Sequence, residues 1–145
     1  MSVTEIGSTE ALFSRIRNAP EQFAEHLDDE VLCDNRALLS EFIKQEMYDK
    51  EVTPKNMIIK TTLSQSHIYQ ILSGTRAPGR DVLINIALAL SLDLERTQYL
   101  LKLGQVGALY PKIRRDAAII CCIEQQLDLI ETNEYLLSIS EQGLV

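Results

Sequence analysis

The stretch Leu63-Ser64-Gln65-Ser66-His67-Ile68-Tyr69-Gln70-Ile71-Leu72-Ser73-Gly74-Thr75-Arg76-Ala77-Pro78 decides how the other residues of this 145-residue chain are read. Ser64 is a helix N-cap, because its hydroxyl can accept a first-turn amide. Gly74 is a stop, because it takes a left-handed backbone without a Cβ clash. Between them Ile68 and Ile71 stand three residues apart, on one helical face. The opposite face then carries Gln65, Ser66, Tyr69 and Gln70, with His67 and Ser73 at its flanks. Every one of these can donate or accept a hydrogen bond. The segment Thr75-Arg76-Ala77-Pro78-Gly79 reads as a loop from its Pro-Gly content.

Working outward, Thr53-Pro54 pairs a good N-cap with the residue favoured at the first helical position, so a short helix is expected from Pro54 to about Thr61. Met57 supplies its inward contact and Leu63 fills the turn. Upstream, Leu38, Leu39, Phe42, Ile43 and Met47 share a face of a helix over Asn35 to Asp49. Downstream, helices are expected from Arg80 to Leu90 and, capped by Asp93, to Leu103, with Gly104 as the stop. Lys112 to Gln126 should be helical with Ile113, Ala117, Ile120 and Cys121 on one face, and Glu131 to Ile139 should form the last helix. Near the start, Ser8 to Arg17 and Pro20 to about Asp28 are short helix candidates, with Asp28, Asp29 and Glu30 a solvated end or linker and His26 solvated. No two-residue alternation suggests a sheet, and no internal repeat is visible.

The stretch Leu63–Pro78, followed by Leu83-Ile84-Asn85-Ile86-Ala87-Leu88-Ala89-Leu90, resembles the recognition helix and the next helix of lambda-repressor-like helix-turn-helix proteins (phage-repressor/Cro type, XRE family). The resemblance covers about Leu38 to Leu103. It implies an all-α helix-turn-helix bundle, here with N- and C-terminal helical extensions, that binds double-stranded DNA. It also implies base readout from the start of the helix Gln65–Ser73, with Gln65 and Ser66 foremost and His67, Tyr69 and Gln70 beside them. Gln can bridge adenine N6 and N7 in the major groove. Phosphate contacts would fall to Thr53 at a helix N-terminus, to Lys55 and Lys60, and to Ser73, Thr75, Arg76 and Arg80 around the following loop. Three positions depart from the family pattern. Ile58 stands where a small residue is usual, Thr62 where Gly often makes the turn, and Thr61 at an apolar position. A β-branched residue at positive φ is costly, so the turn must differ in geometry or the first helix must shift register.

The formal net charge of −7 taken alone argues against a nucleic-acid partner. Its distribution argues the other way. Val52 to Arg80 holds Lys55, Lys60, Arg76 and Arg80 and not one Asp or Glu, whereas residues 1–51 carry −7 and residues 81–145 carry −4. The basic window coincides with the motif. The division expected is an acidic helical extension over 1–34, the DNA-binding domain over 35–104 and a helical extension over 105–145. That last part could dimerise or take a protein partner or small effector. A homodimer is expected through helices after Asp93, because Tyr99, Leu100, Leu101, Leu103, Val106, Leu109 and Tyr110, with Leu136, Leu137, Ile139, Leu144 and Val145, exceed what one helix face can bury. The rival expectation is that the C-terminal helices cover this surface within one chain.

Cys33, Cys121 and Cys122 make a poor disulfide framework and read as buried, reduced thiols. No zinc spacing, phosphate loop or nucleophile set occurs, so neither metal, cofactor nor catalysis is expected. Lys112, Arg114 and Arg115 read as a solvated face or salt bridges. The polar start does not resemble a secretory signal and no apolar run approaches membrane length, so a cytoplasmic protein is expected. The alternative function is an adaptor or antitoxin-like protein-interaction module that keeps the fold without specific DNA binding.

Overall fold

A computed structural model of the chain describes residues 3–25, 27 and 35–144, with side chains from Glu10 onward. The expectations for His26, for Asp28-Asp29-Glu30, for Cys33 and for Val145 lie outside the described residues. The chain divides into two compact units, Met1–Asp34 and Asn35–Val145. All regular structure among the described residues is helical. The first unit holds α1 (Val3–Asn18) and α2 (Pro20–Glu25). The second holds α3 (Asn35–Asp49), α4 (Pro54–Lys60), α5 (Gln65–Ser73), α6 (Arg80–Ala89), α7 (Leu94–Leu103), α8 (Arg114–Glu124) and α9 (Leu129–Ser138). No helix among the described residues is long and apolar enough to cross a membrane.

Local chemistry sets the helix starts. Thr53, Ser64, Asp93 and Asp128 each accept a first-turn amide on the side chain, and Asp128 with Glu131 forms a full capping box. That box places the start of α9 ahead of the Glu131 expected from its apolar residues. The helix ends are less conventional. Gly74 takes the left-handed position after α5 as expected, at φ 76°. Elsewhere that position falls to Glu51, Ser91, Gln105, Gln126 and Ser140. Each is followed by an amide that reaches five residues back, as Val106 N–H does to Leu101 O and Leu127 N–H to Cys122 O. Gly104 is therefore not the left-handed stop of α7; its φ is −76° and Gln105 does that work. Gly104 is needed for space, since a Cβ there would stand 2.2 Å from Cδ1 of the fully buried Leu83.

In the second unit α3 packs on α5 and α7, and α4 packs on α5 and α6. The fully buried Glu46 of α3 takes Arg96 of α7 on both oxygens, at 3.0 and 3.2 Å, and Lys50 at 3.3 Å. Phe42 meets the Tyr99 ring edge-on, with centroids 5.1 Å apart. The Ser40 hydroxyl donates to the Leu72 carbonyl and so ties α3 to the end of α5.

Helices α6 to α9 form an internal repeat, where none was expected from the sequence. Displaced by 35 residues, Arg80-Asp81 matches Arg115-Asp116, Leu92-Asp93-Leu94 matches Leu127-Asp128-Leu129, and Ile84, Thr97, Leu101 and Leu109 match Ile119, Thr132, Leu136 and Leu144. The interactions match as well as the letters. Gln98 exchanges two hydrogen bonds with the backbone of Leu109, both 2.8 Å, and Asn133 does the same with Leu144 at 3.1 and 2.6 Å. Arg80 donates to the carbonyls of Gly107 and Ala108; Arg115 donates to those of Gln142 and Gly143. Each repeat, residues 80–109 and 115–144, is thus a helical pair (α6 with α7, α8 with α9) plus a tail pinned back on it. The tail, with its buried Leu109 or Leu144, closes the gap at the helix ends.

The two repeats, both within Asn35–Val145, grip each other through the same residues. Arg80 forms a bidentate pair with Asp116, at 3.1 and 2.7 Å, and Arg115 forms one with Asp81, at 3.1 and 3.0 Å. Burial alone would push the Asp116 carboxyl up. The hydrogen bonds from Arg80 and from Tyr110 N–H outweigh it and hold the group below its ordinary range. This buried pair also corrects the face expected for α8. Turning Asp116 inward brings Ala118, Ile119, Cys122 and Ile123 with it, and leaves Ile113 and Cys121 exposed. Of the cysteine thiols, Cys122 is buried and Cys121 is not. Arg114 and Arg115 end in ion pairs with Glu141 and Asp81.

The apolar surplus assigned to dimerisation is largely consumed inside this packing. Leu100, Leu101, Leu109, Leu136 and Leu144 are buried, while Tyr110 and Leu137 stay exposed. Residues 105–144 pack in the same unit as residues 35–104. One consequence is directly measurable. Gly104→Ala should destabilise the fold by about 1–3 kcal/mol, the cost of overpacking at Leu83. Gln105→Gly, at the left-handed position, should leave stability unchanged or raise it. Urea denaturation of both variants checks this, and a tolerated Gly104→Ala would contradict the tight contact.

Candidate nucleic-acid interface

The turn between α4 and α5 resolves the oddity of its threonines. Thr61 is buried in an extended conformation, φ −117° and ψ 175°, and no residue from Thr61 to Ser64 has a positive φ. Extended backbone suits a β-branched side chain. The Thr61 hydroxyl donates to Met57 O at 2.7 Å and accepts Leu63 N–H at 3.2 Å. It thereby satisfies the polar groups that a buried turn exposes. Thr62 reaches Asn85 of α6 at 3.4 Å, so the turn is anchored on the helix behind it. The turn therefore differs from a glycine turn in geometry, and the register of α4 stands as expected, with Met57 buried.

This anchoring fixes which side of α5 faces out. Ile68 and Ile71 are each 2% exposed. Gln65, Ser66, Gln70 and Ser73 are exposed, and Tyr69 is 50% exposed. Ser64 accepts His67 N–H at 3.1 Å and leaves Gln65 and Ser66 as the first residues of the helix. His67 departs from its expected role. It is half-buried, and its Nε2 is buried without a hydrogen-bond partner. Burial, helped by the Arg76 charge, lowers its pKa, so the ring is neutral near pH 7. It fits a place beneath the exposed row better than a place in it.

The end of α5 is a compact set of polar contacts. The Gln70 carbonyl accepts Thr75 N–H, and the hydroxyls of Ser73 and Thr75 lie 3.1 and 3.2 Å from it and 2.9 Å from each other, so their two protons serve two of these three contacts. Gln70 Oε1 accepts from Arg76 Nη1 at 3.3 Å. Ser73 and Thr75 thus spend their donors on closing the helix, and Arg76 is drawn alongside the exposed row.

The four expected cations separate into two kinds. Lys55, Lys60 and Arg76 are exposed, and no ion pair joins them to a carboxylate among the described residues. Arg80 is already committed to Asp116 and the tail carbonyls, which corrects its assignment to phosphate. The start of α4 is also a weaker anion seat than expected. Pro54 has no N–H, Thr53 Oγ1 takes Asn56 N–H at 3.2 Å, and Met57 N–H is bonded to Thr53 O, leaving the Lys55 amide alone. Among the described residues no group of three or more His, Cys, Asp or Glu stands ready to hold a metal ion.

The division of α5 into a buried and an exposed row has a direct test. Ile68→Ala or Ile71→Ala should destabilise the fold by roughly 2–5 kcal/mol. Gln65→Ala should stay within about 0.5 kcal/mol of the parent, as exposed substitutions do. Equal effects in chemical denaturation would mean that α5 is not seated as described. No protein-family model, curated protein or solved structure matches the chain.

Proposed function

We propose that the chain is a sequence-specific DNA-binding regulator of helix-turn-helix type, acting by binding and not by catalysis. The observation that carries this is the composition of the exposed face of α5. It presents Gln65, Ser66, Tyr69 and Gln70 in a stretch free of carboxylates, beside the exposed cations Lys55, Lys60 and Arg76. A helix read by DNA needs hydrogen-bonding side chains on one row and phosphate-neutralising charge beside it. In this reading Gln65 and Ser66 meet base edges first, Tyr69 and Gln70 follow a turn later, and the cations hold the backbone. Arg80 positions the loop that carries Arg76. One such helix reads few base pairs against a genome of competing sites, so recognition by two copies on a two-fold operator is part of the proposal.

A second reading has its own observation. A groove of about 510 Å³ runs between α4 and the start of α9, lined by Thr61, Thr62, Leu88, Ala89 and Leu129. Ile59 and Ile130 flank it at 72% and 69% exposure. Such a groove suits a protein-interaction module.

Selection of bound sequences from a random duplex library separates the two. On a selected site, Gln65→Ala and Ser66→Ala should each weaken binding by ~1–3 kcal/mol. Lys55→Ala or Arg76→Ala should weaken binding to every sequence and lower the slope of log affinity against log salt by about one. A library with no enriched sequence, and no salt-dependent retention on duplex, would leave the interaction module as the surviving reading.

A further inference from the structure

The two 35-residue units do not merely follow one another; their contact is reciprocal. The arginine of each unit holds the aspartate of the other. The first helix of each packs on the second helix of the other, α6 on α9 and α7 on α8. Residue i on j, with j on i, is the signature of a two-fold contact between identical surfaces, the kind that joins two copies of one chain. Here one chain supplies both copies.

We propose that the face of α6 and α7 covered by α8 and α9 is a self-association surface whose occupant is a copy of this unit. In the closed chain the occupant is the chain's own second unit. In an exchanged dimer it is the second unit of another copy. Charge complementarity supports this occupant over any other. An adjacent Arg-Asp pair facing an adjacent Arg-Asp pair is matched only by a surface with the same two charges in the same order. The units are also self-contained: Gln98 holds Leu109 and Asn133 holds Leu144 within each, so those bonds travel with an exchanged unit. The connection to be opened is short and exposed, Pro111-Lys112-Ile113. Two bonds cross it, both 3.0 Å: Tyr110 N–H to Asp116 and Ile113 N–H to Tyr110 O. Exchange of an identical element is a low-cost route to a dimer.

The two units differ in burial at matching places. Where the first unit has Ile86, Ala89, Leu90 and Leu100 buried, the second has Cys121, Glu124, Gln125 and Tyr135 exposed at the matching places. The second unit is therefore a terminal cap, polar on its outer side as the end of a stack must be. A stack of units therefore stops at the second one. An exchanged pair that closes on itself carries two copies of α5. This inference concerns the association of the chain and stands whether or not α5 reads DNA.

Two full-length variants test it. Asp116→Lys breaks the Arg80 clamp from the side of the second unit, and Arg80→Asp breaks it from the side of the first. Each alone should have a lower Tm than the wild type and run as a monomer. When the two are unfolded together and refolded at equal concentration, exchange gives one chain pair with a native clamp and one with the charges transposed. Native mass spectrometry should then find a one-to-one complex of the two chains, with a Tm above that of either variant. If neither variant folds alone, the mixture alone should regain helical circular dichroism. A mixture that behaves as the sum of its parts, in mass and in Tm, overturns the proposal. So does a variant as stable as the wild type.

Discussion

Arg80 is the point on which the second unit of the fold turns. Its guanidinium reaches two carbonyls of the tail after α7 and both oxygens of Asp116. A carboxylate 2% exposed is tolerable only with such a partner, because removing one member of a buried pair strands the other charge. Three parts of the chain meet on this one side chain: the loop leaving α5, the tail leaving α7 and the start of α8. The position of the exposed row on α5 relative to the C-terminal helices therefore depends on a group that makes no contribution to that row itself. The same residue explains why α8 turns a charged group inward and its Ile113 outward.

What could be read from the sequence was whatever is decided within a few residues. Thr53-Pro54, Ser64 and Asp93 are caps whose partner lies three residues on, and Ile68 and Ile71 declare a face by spacing alone. These fixed α3 to α7 and the outward row of α5. Contacts across tens of residues were not legible in the same way. Nothing local says that Arg80 will meet Asp116 instead of a phosphate, or that the Asp81 carboxylate is waiting for Arg115. The left-handed stop of α7, expected at Gly104, falls one residue later for a related reason. Glycine advertises that backbone conformation, but Gln105 and Gln126 adopt it here where a five-residue hydrogen bond holds them. The repeat was hidden because its matching residues are spread thinly. Leu-Asp-Leu and Arg-Asp are short, and the residues between them diverge where one unit is buried on both sides and the other only on one.

The charge distribution has a structural counterpart. Outside the basic window, Arg96, Arg114, Arg115, Lys44 and Lys50 stand in ion pairs, so their charge is locally neutralised. Inside it, Lys55, Lys60 and Arg76 have no such partner among the described residues. At physiological ionic strength charges beyond about 8 Å are largely screened. A ligand approaching α5 thus meets three unpaired cations and feels little of the −7 carried by the whole chain. Net charge is a poor guide to the partner of a protein in which several bases are paired internally and three exposed ones, Lys55, Lys60 and Arg76, fall in one acid-free stretch.

The duplicated unit also changes what the C-terminal helices can be asked to explain. A leucine-rich segment after the α3–α7 helices invites a separate task, dimerisation or sensing. Here each buried leucine of the second unit has a counterpart in the first, doing the same job against the same tail. The first unit has two burdens, since α6 and α7 must back α4 and α3 on one side and meet the second unit on the other. A helical pair covered on one side alone would leave apolar side chains in solvent, and burying such side chains is worth about 1.5–3 kcal/mol each for the larger ones. A copy of the unit is the most direct cover, because a surface that pairs about a two-fold needs no second design: every residue that improves the contact does so twice.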